Sequence, residues 1–281
     1  MKKIVLFGST GKIGTAILAI FDQQYSITAL DRSSCDARDL TKVQQIVKEV
    51  NPDIVINAAA FNGVDACESD PFQALQINTI FPKLLAELSN SHGFLLVHFS
   101  SDAVFSGFDA CSYSEDSSAS PINIYGLTKY GGDCFVTAIA ERYYIARISL
   151  QFGENNGKLQ FVENMLERLL RGNRLLQISD DIIASPSYSR DVAKRVKLLI
   201  EEQSDFGLYH VANEGQASLY ELICELVDIM KLEVVIENVS HTNFPSIGMK
   251  NKYIPIISHK ILPLRPWREA LVEYCTTNYL K

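Results

Sequence analysis

The chain begins with a short, unbroken apolar run, Ile4–Phe7, which stops at Gly8 and gives way to helical periodicity over Ile13–Phe21. That alternation recurs. Ile27–Leu30 is apolar up to Asp31, Val43–Val50 has the spacing of an amphipathic helix, and Ile54–Ile56 is again β-branched. Helix Gln73–Ser91, strand Phe94–Phe99, helix Tyr125–Ala140 and strand Tyr144–Ile148 follow. A strand that is apolar throughout needs cover on both faces, and the intervening helices supply it. The pattern predicts an α/β fold with a doubly wound parallel sheet.

Past residue 150 the alternation turns irregular. Val162–Leu170, Leu219–Met230 and Trp267–Tyr279 have helical spacing, and "GLYHVAN" (207–213) has the character of one more strand. We therefore expect a nucleotide-binding domain over 1–150 and a smaller α/β substrate lobe over most of 151–281, with the chain returning to the sheet at about 189–213. The serine-rich stretch "SYSEDSSASP" (112–121) reads as an exposed loop ending at Pro121.

Composition narrows the functions open to such a fold. At 281 residues, 47% hydrophobic and 21% charged, the chain has a globular profile. Its net charge of −7 offers no basic excess for a nucleic-acid backbone. The opening "MKKIVLFGSTG" breaks at Gly8, too early for a signal peptide, and no apolar run reaches membrane-spanning length; the cytoplasm is the default location. Six scattered cysteines without a CxxC pair fit reduced thiols, and five histidines without ligand spacing give no reason to expect a metal.

Chemistry enters at "GSTGKIG" (8–14), between the first strand and the first helix. Gly8 permits a tight turn, Gly11 lets backbone approach a pyrophosphate, and the first-turn N–H groups of the helix, around Thr10, Lys12 and Ile13, lack helical partners and can meet phosphate. This is the context of a Rossmann-type dinucleotide turn. Asp31, closing the second strand, can accept both hydroxyls of a ribose and would repel a 2′-phosphate, whereas Arg32 beside it could clasp one. NADH and NADPH both stay open. Asp36 and Ala37 fall at the expected adenine edge, and Asp39 reads equally well as the first acid of the next helix. In "NAAAFN" (57–62), Ala58, Ala59 and Ala60 are small enough for a nicotinamide ribose to lie on, with Phe61 and Asn62 beside them; a helix-packing seam is the plainer reading. Tyr125 and Lys129, four apart on one helix, would share a face, with Gly131 and Gly132 allowing close packing.

Taken in order, the glycine turn, "NAAAFNGVDACESDP", "HFSSDAVFSG", "YGLTKYGGD" and "ARISLQFG" resemble the extended short-chain dehydrogenase/reductase superfamily, and within it most closely the dTDP-4-dehydrorhamnose reductase family. The resemblance is strong over about the first 150 residues and fainter through "DIIASPSYSRDVA" and "PWREALVEY". It implies that Tyr125 protonates a carbonyl oxygen as hydride arrives from the nicotinamide. It implies that Lys129 binds the nicotinamide ribose and lowers the phenol's pKa from about 10. Ser101 would orient the substrate carbonyl, Phe99 would border the cofactor, and Asp102 and Leu150 would face the sugar. NADPH or NADH is the implied cofactor and a nucleotide sugar the implied partner; a homodimer is compatible with it.

Several positions depart from the family pattern. Ala103 and Leu150 stand where the reductases carry aromatic rings, the motif DQFGxPT becomes "DIIASPS" (181–187), and the C-terminal Arg-Pro clamp is not recognisable in 240–260. The missing rings predict an opened sugar pocket. The alternatives are a nucleotide-sugar epimerase or dehydratase and a non-catalytic regulatory subunit like that of methionine adenosyltransferase. Dehydratases need Asp then Glu after the Ser or Thr, and Asp102 is followed by Ala103. The intact Ser101, Tyr125 and Lys129 argue against lost chemistry.

Overall fold

The computed structural model describes residues 1–21, 24–157 and 159–280. Five parallel strands, β1 (Lys2–Phe7), β2 (Tyr25–Leu30), β3 (Ile54–Asn57), β4 (Leu95–Ser101) and β5 (Tyr143–Ile148), are joined by a sixth at Gly207–His210. Their order is Gly207–His210, β5, β4, β3, β1, β2. The order reverses between β1 and β3, which opens a crevice above their carboxyl ends, where ligands bind in open parallel sheets.

Helices cover both faces. On one side α1 (Lys12–Phe21) packs on Ser189–Glu201, a helix whose Val192, Ala193, Val196 and Leu199 join Ile13, Ala16 and Ile17 over the sheet. On the other lie α2 (Leu40–Val50), capped by the Asp39 carboxylate on Lys42 N–H at 3.0 Å, and the pair α5 (Phe81–His92) and α6 (Ile124–Ile139). The long helix expected over Gln73–Ser91 is divided: a short helix, α4 (Pro71–Leu75), and α5 are linked by a π-helical turn, Gln76–Ile80, with Phe81 N–H bonded to Gln76 carbonyl. A further short helix, α3 (Val64–Ser69), follows the alanine segment.

The lobe has its own core, in which Phe152, Leu166, Tyr188, Leu222, Trp267 and Tyr274 are buried. It contains α7 (Phe161–Leu170), helices Leu219–Met230 and Trp267–Asn278, and the parallel strand pair Leu175–Ser179 and Val235–Val239, which periodicity alone did not reveal. Residues 112–121 are anchored more firmly than expected of an exposed loop. Tyr113 stacks on Phe105 at 4.2 Å, and Glu115 accepts from His210 and His259 backbone N–H and from the Ser258 hydroxyl. No helix among the described residues is long and apolar enough to cross a membrane.

Candidate active site

The carboxyl ends of β1, β2, β3, β4 and β5 deliver Gly8, Asp31, Ala58, Ser101 and Ser149 to one edge of the sheet. Gly8 has φ +80°, and a Cβ there would lie 2.6 Å from the Ala58 and Ala59 backbone, so only glycine lets this turn close on β3. Thr10 and Gly11 are partly exposed on this turn, and a Cβ on Gly11 would meet only the Gly8 carbonyl, at 3.6 Å. Such a cradle fits a dinucleotide, held by the backbone of 8–13. Side chains there are used otherwise. Ile13 is in the core, and Lys12 turns away from the crevice, donating to Gln151 carbonyl at 2.6 Å and pairing with Glu163 of α7 at 2.7 Å. Burial lowers the Lys12 pKa, and Glu163 opposes that. The expected contribution of Lys12 to phosphate binding is thus left to its N–H.

At the adenine end, Asp31 Oδ1 accepts from the backbone and hydroxyls of Ser33 and Ser34 at 2.8–3.1 Å. These donors hold its pKa down to about 2 and leave Oδ2 for a ribose hydroxyl. Asp36 is gripped by Arg38 through Nε at 2.9 Å and Nη2 at 2.6 Å, and its pKa also falls to about 2. An adenine contact by that carboxylate, as the sequence suggested, would have to compete with Arg38, a residue sequence reasoning missed. Arg32 is 71% exposed and stands 3.6 Å from Asp36, free to swing toward a 2′-phosphate. Ala37 packs beneath, against the core on the α2 face.

Ala58, Ala59 and Ala60 are partly exposed beside the turn, with Ala59 N–H on Asn57 Oδ1 at 3.2 Å. Phe61 is fixed by Asn78, which accepts from its N–H at 2.9 Å and donates to its carbonyl at 3.1 Å. Asn78 sits on the π-helical turn and also donates to Thr128 of α6 at 3.1 Å. Close packing by the glycines of α6 is real: a Cβ on Gly132 would lie 2.4 Å from Asn78 carbonyl, and one on Gly126 2.1 Å from Ala103 carbonyl.

These contacts set Tyr125 and Lys129 over the end of β4. The Tyr125 hydroxyl lies 3.5 Å from Asn62 Oδ1 and also interacts with the Ser101 hydroxyl. Burial pushes the phenol up to about 12, against the Ser101 interaction. The resemblance implied that Lys129 holds the phenol pKa down; here Asp102 and Cys67, near the phenol, both raise it. Lys129 itself is buried and drops to about 8 by desolvation, opposed by Asp133. Its Nζ donates to Phe99 carbonyl at 2.6 Å, which leaves two of its three donors for a ribose. The Phe99 ring belongs to the core, so only its carbonyl serves the site.

Behind Lys129 lies a buried polar chain that no local pattern announced. Asp133 Oδ2 accepts from Arg147 at 3.0 Å and Ser100 at 2.8 Å. Burial raises Asp133 and depresses His98 well below its ordinary value. Neutral His98 takes Asn57 Nδ2 on Nδ1 at 3.1 Å and faces Asp133 Oδ1 with Nε2 at 3.7 Å.

The two sugar-facing departures differ in their surroundings. Ala103 is 6% exposed, and Leu150, partly buried, packs between the lobe core and the small cluster around Phe105. A 430 Å³ crevice lies at the opposite end of the sheet, lined by residues including Lys2, Asp53, His92 and Arg142. At the front of the site Asn123 caps α6, accepting from Gly126 N–H at 2.8 Å, and its amide holds Met249 carbonyl at 2.9 Å and Asn251 at 2.8 Å.

Known proteins share this architecture. The spore coat polysaccharide biosynthesis protein SpsK of Bacillus subtilis is 33% identical over 98% of this chain and 97% of its own length. A dTDP-4-dehydrorhamnose reductase of Aggregatibacter actinomycetemcomitans is 30% identical over 86% of this chain and 84% of its own. The dTDP-4-dehydrorhamnose reductase of Bacillus anthracis, solved in complex with NADP, has a TM-score of 0.93 at 29% identity and covers 99% of each chain. The family described as RmlD substrate binding domain matches residues 1–279, and this chain belongs to it.

Proposed function

We propose that the protein is an NAD(P)H-dependent reductase of the 4-keto group of a dTDP-activated deoxy sugar, with dTDP-4-dehydrorhamnose as the substrate to assay, in polysaccharide precursor synthesis. The observation that carries this reading is the convergence of Ser101, Tyr125 and Lys129 at the end of β4, on the same edge of the sheet as the Gly8 turn. A reduced nicotinamide bound there supplies hydride. Tyr125 gives its proton to the carbonyl oxygen, Ser101 orients that oxygen, and the Lys129 ammonium holds a ribose. Asp31 takes a ribose hydroxyl at the adenine end, and Arg32 makes a 2′-phosphate acceptable. A cytoplasmic location and a homodimer accompany this reading, the latter open to a measurement of mass in solution.

Following NADPH and NADH oxidation by the purified protein with dTDP-4-dehydrorhamnose tests the reading. We expect kcat/KM of about 10⁴ M⁻¹s⁻¹ or more. Cofactor binding without turnover of any keto sugar would instead support the regulatory-subunit alternative.

A further inference from the structure

Ser101 has one proton to give and two lone pairs to fill. Its Oγ donates to Asp102 Oδ1 at 3.1 Å and accepts from Ala103 N–H at 3.2 Å, with the Tyr125 hydroxyl close by. Asp102 is buried, and its Oδ2 accepts from Ser149 at 2.6 Å, whose own oxygen accepts from Ser185 N–H at 3.0 Å. Two serine protons therefore converge on one carboxylate. In that arrangement Ser101 has nothing to offer a ketone oxygen, which only accepts.

We propose that Asp102 is a positioning residue that sets the direction of the Ser101 hydroxyl: as a carboxylate it draws the serine proton away from the substrate, and as a carboxylic acid it donates to Ser101 and turns that proton toward the substrate carbonyl. In the acid form Ser101 Oγ accepts from Asp102 and from Ala103 N–H, so the protons of Ser101 and Tyr125 both point at the ketone oxygen. The proposal rests on the reading of Ser101 as the residue that orients the carbonyl. The surroundings favour the switch. Burial lifts Asp102 to about 6, against the hydrogen bonds from Ser149 and Ser101. The titratable groups around it are Tyr125 from α6 and, near the phenol, Cys67 of α3, both raised by burial and neutral at pH 7. Among the described residues Asp102 has no ion-pair partner that would hold its charge.

The pH dependence of kcat/KM for dTDP-4-dehydrorhamnose tests this in the wild type, Asp102→Asn and Asp102→Ala. The wild type should lose activity as pH rises through about 6. That limb should be absent in Asp102→Asn, whose amide donates at every pH. Asp102→Ala should lose about tenfold or more in kcat, with NADPH affinity kept. An Asp102→Asn profile with the wild-type limb would overturn the proposal, because a purely structural Asp102 predicts that result. Carboxyl NMR titration needs no turnover. A resonance titrating near 6 should be missing from Asp102→Asn and should move upward in Ser101→Ala, which removes a donor to the carboxylate. A midpoint unmoved by Ser101→Ala would sink the idea whatever the substrate. The shift without turnover of any keto sugar would support the Ser101–Asp102 arrangement and overturn the substrate reading instead.

Discussion

Carboxylates at two ends of the same cleft meet opposite fates. Asp31 and Asp36, after β2, are held down to about 2. Asp102, after β4, rises to about 6. The first two stand at the surface with serine or arginine donors gathered on them, while Asp102 is buried, and its desolvation outweighs the hydrogen bonds from Ser149, Ser101 and nearby backbone N–H groups. Permanent charge suits the proposed recognition of ribose hydroxyls at one end. Groups poised to hold or release a proton suit the proton transfer proposed at the other.

The largest break in this contrast should come from Tyr125→Phe, which removes the proton donor alone. We expect turnover to fall by about 10²–10⁴-fold, with cofactor affinity by fluorescence titration nearly unchanged. Near-normal turnover would show that the phenol is not the acid.

Removing one acid from each end separates buried from exposed pairing. Asp133→Ala leaves the Arg147 guanidinium buried without its partner and should cost about 3–5 kcal/mol in urea unfolding. Asp36→Ala, which releases half-exposed Arg38, should cost under about 1 kcal/mol. Equal losses would contradict the distinction.

Lys129 sharpens the same point through pH. Its folded pKa, about 8, lies below its ordinary 10.5, so the folded state disfavours the charged form. The resulting destabilisation is fully present below pH 8 and is relieved as pH rises from 8 toward 10.5. Stability should increase across that window by at most roughly 3 kcal/mol, and Lys129→Met should lack the increase. In the wild type kcat/KM should decline as the ammonium is lost above about 8, a step separate from that of Asp102. The smallest effect belongs to the exposed end. Arg32→Ala should weaken NADPH by less than about tenfold and leave NADH alone, since an exposed arginine competes with water for a phosphate. A cofactor preference above about a thousandfold in the wild type would contradict the paired roles of Asp31 and Arg32.

What the sequence discloses here is what the chain places close together. The Gly8 turn, the Asp39 cap and the one-turn spacing of Tyr125 and Lys129 are local, and each was legible from neighbouring residues. The supports of the site are not. Asn78 reaches Phe61 and Thr128, and Asp133 meets His98 and Arg147, across separations of 14 to 50 residues that leave no periodic trace. Helix Ser189–Glu201 was missed because its apolar stripe is narrow and interrupted by Arg190, Lys194 and Arg195, and becomes evident only against α1. The pairing of the Lys12 side chain with Glu163 left no local trace either, because the position of Glu163 beside it depends on how α7 packs.

That last pair bears on how relatives of this protein can be recombined. Lys12 and Glu163 are both buried, one on the nucleotide turn and the other in the lobe. A chimera joined near residue 150 that brought a neutral residue to either position would strand the other charge without solvent, at a cost of about 3–5 kcal/mol, comparable with much of a domain's stability. A viable crossover must therefore inherit both residues together or replace both at once, so the two halves of the chain are exchangeable only as a matched set.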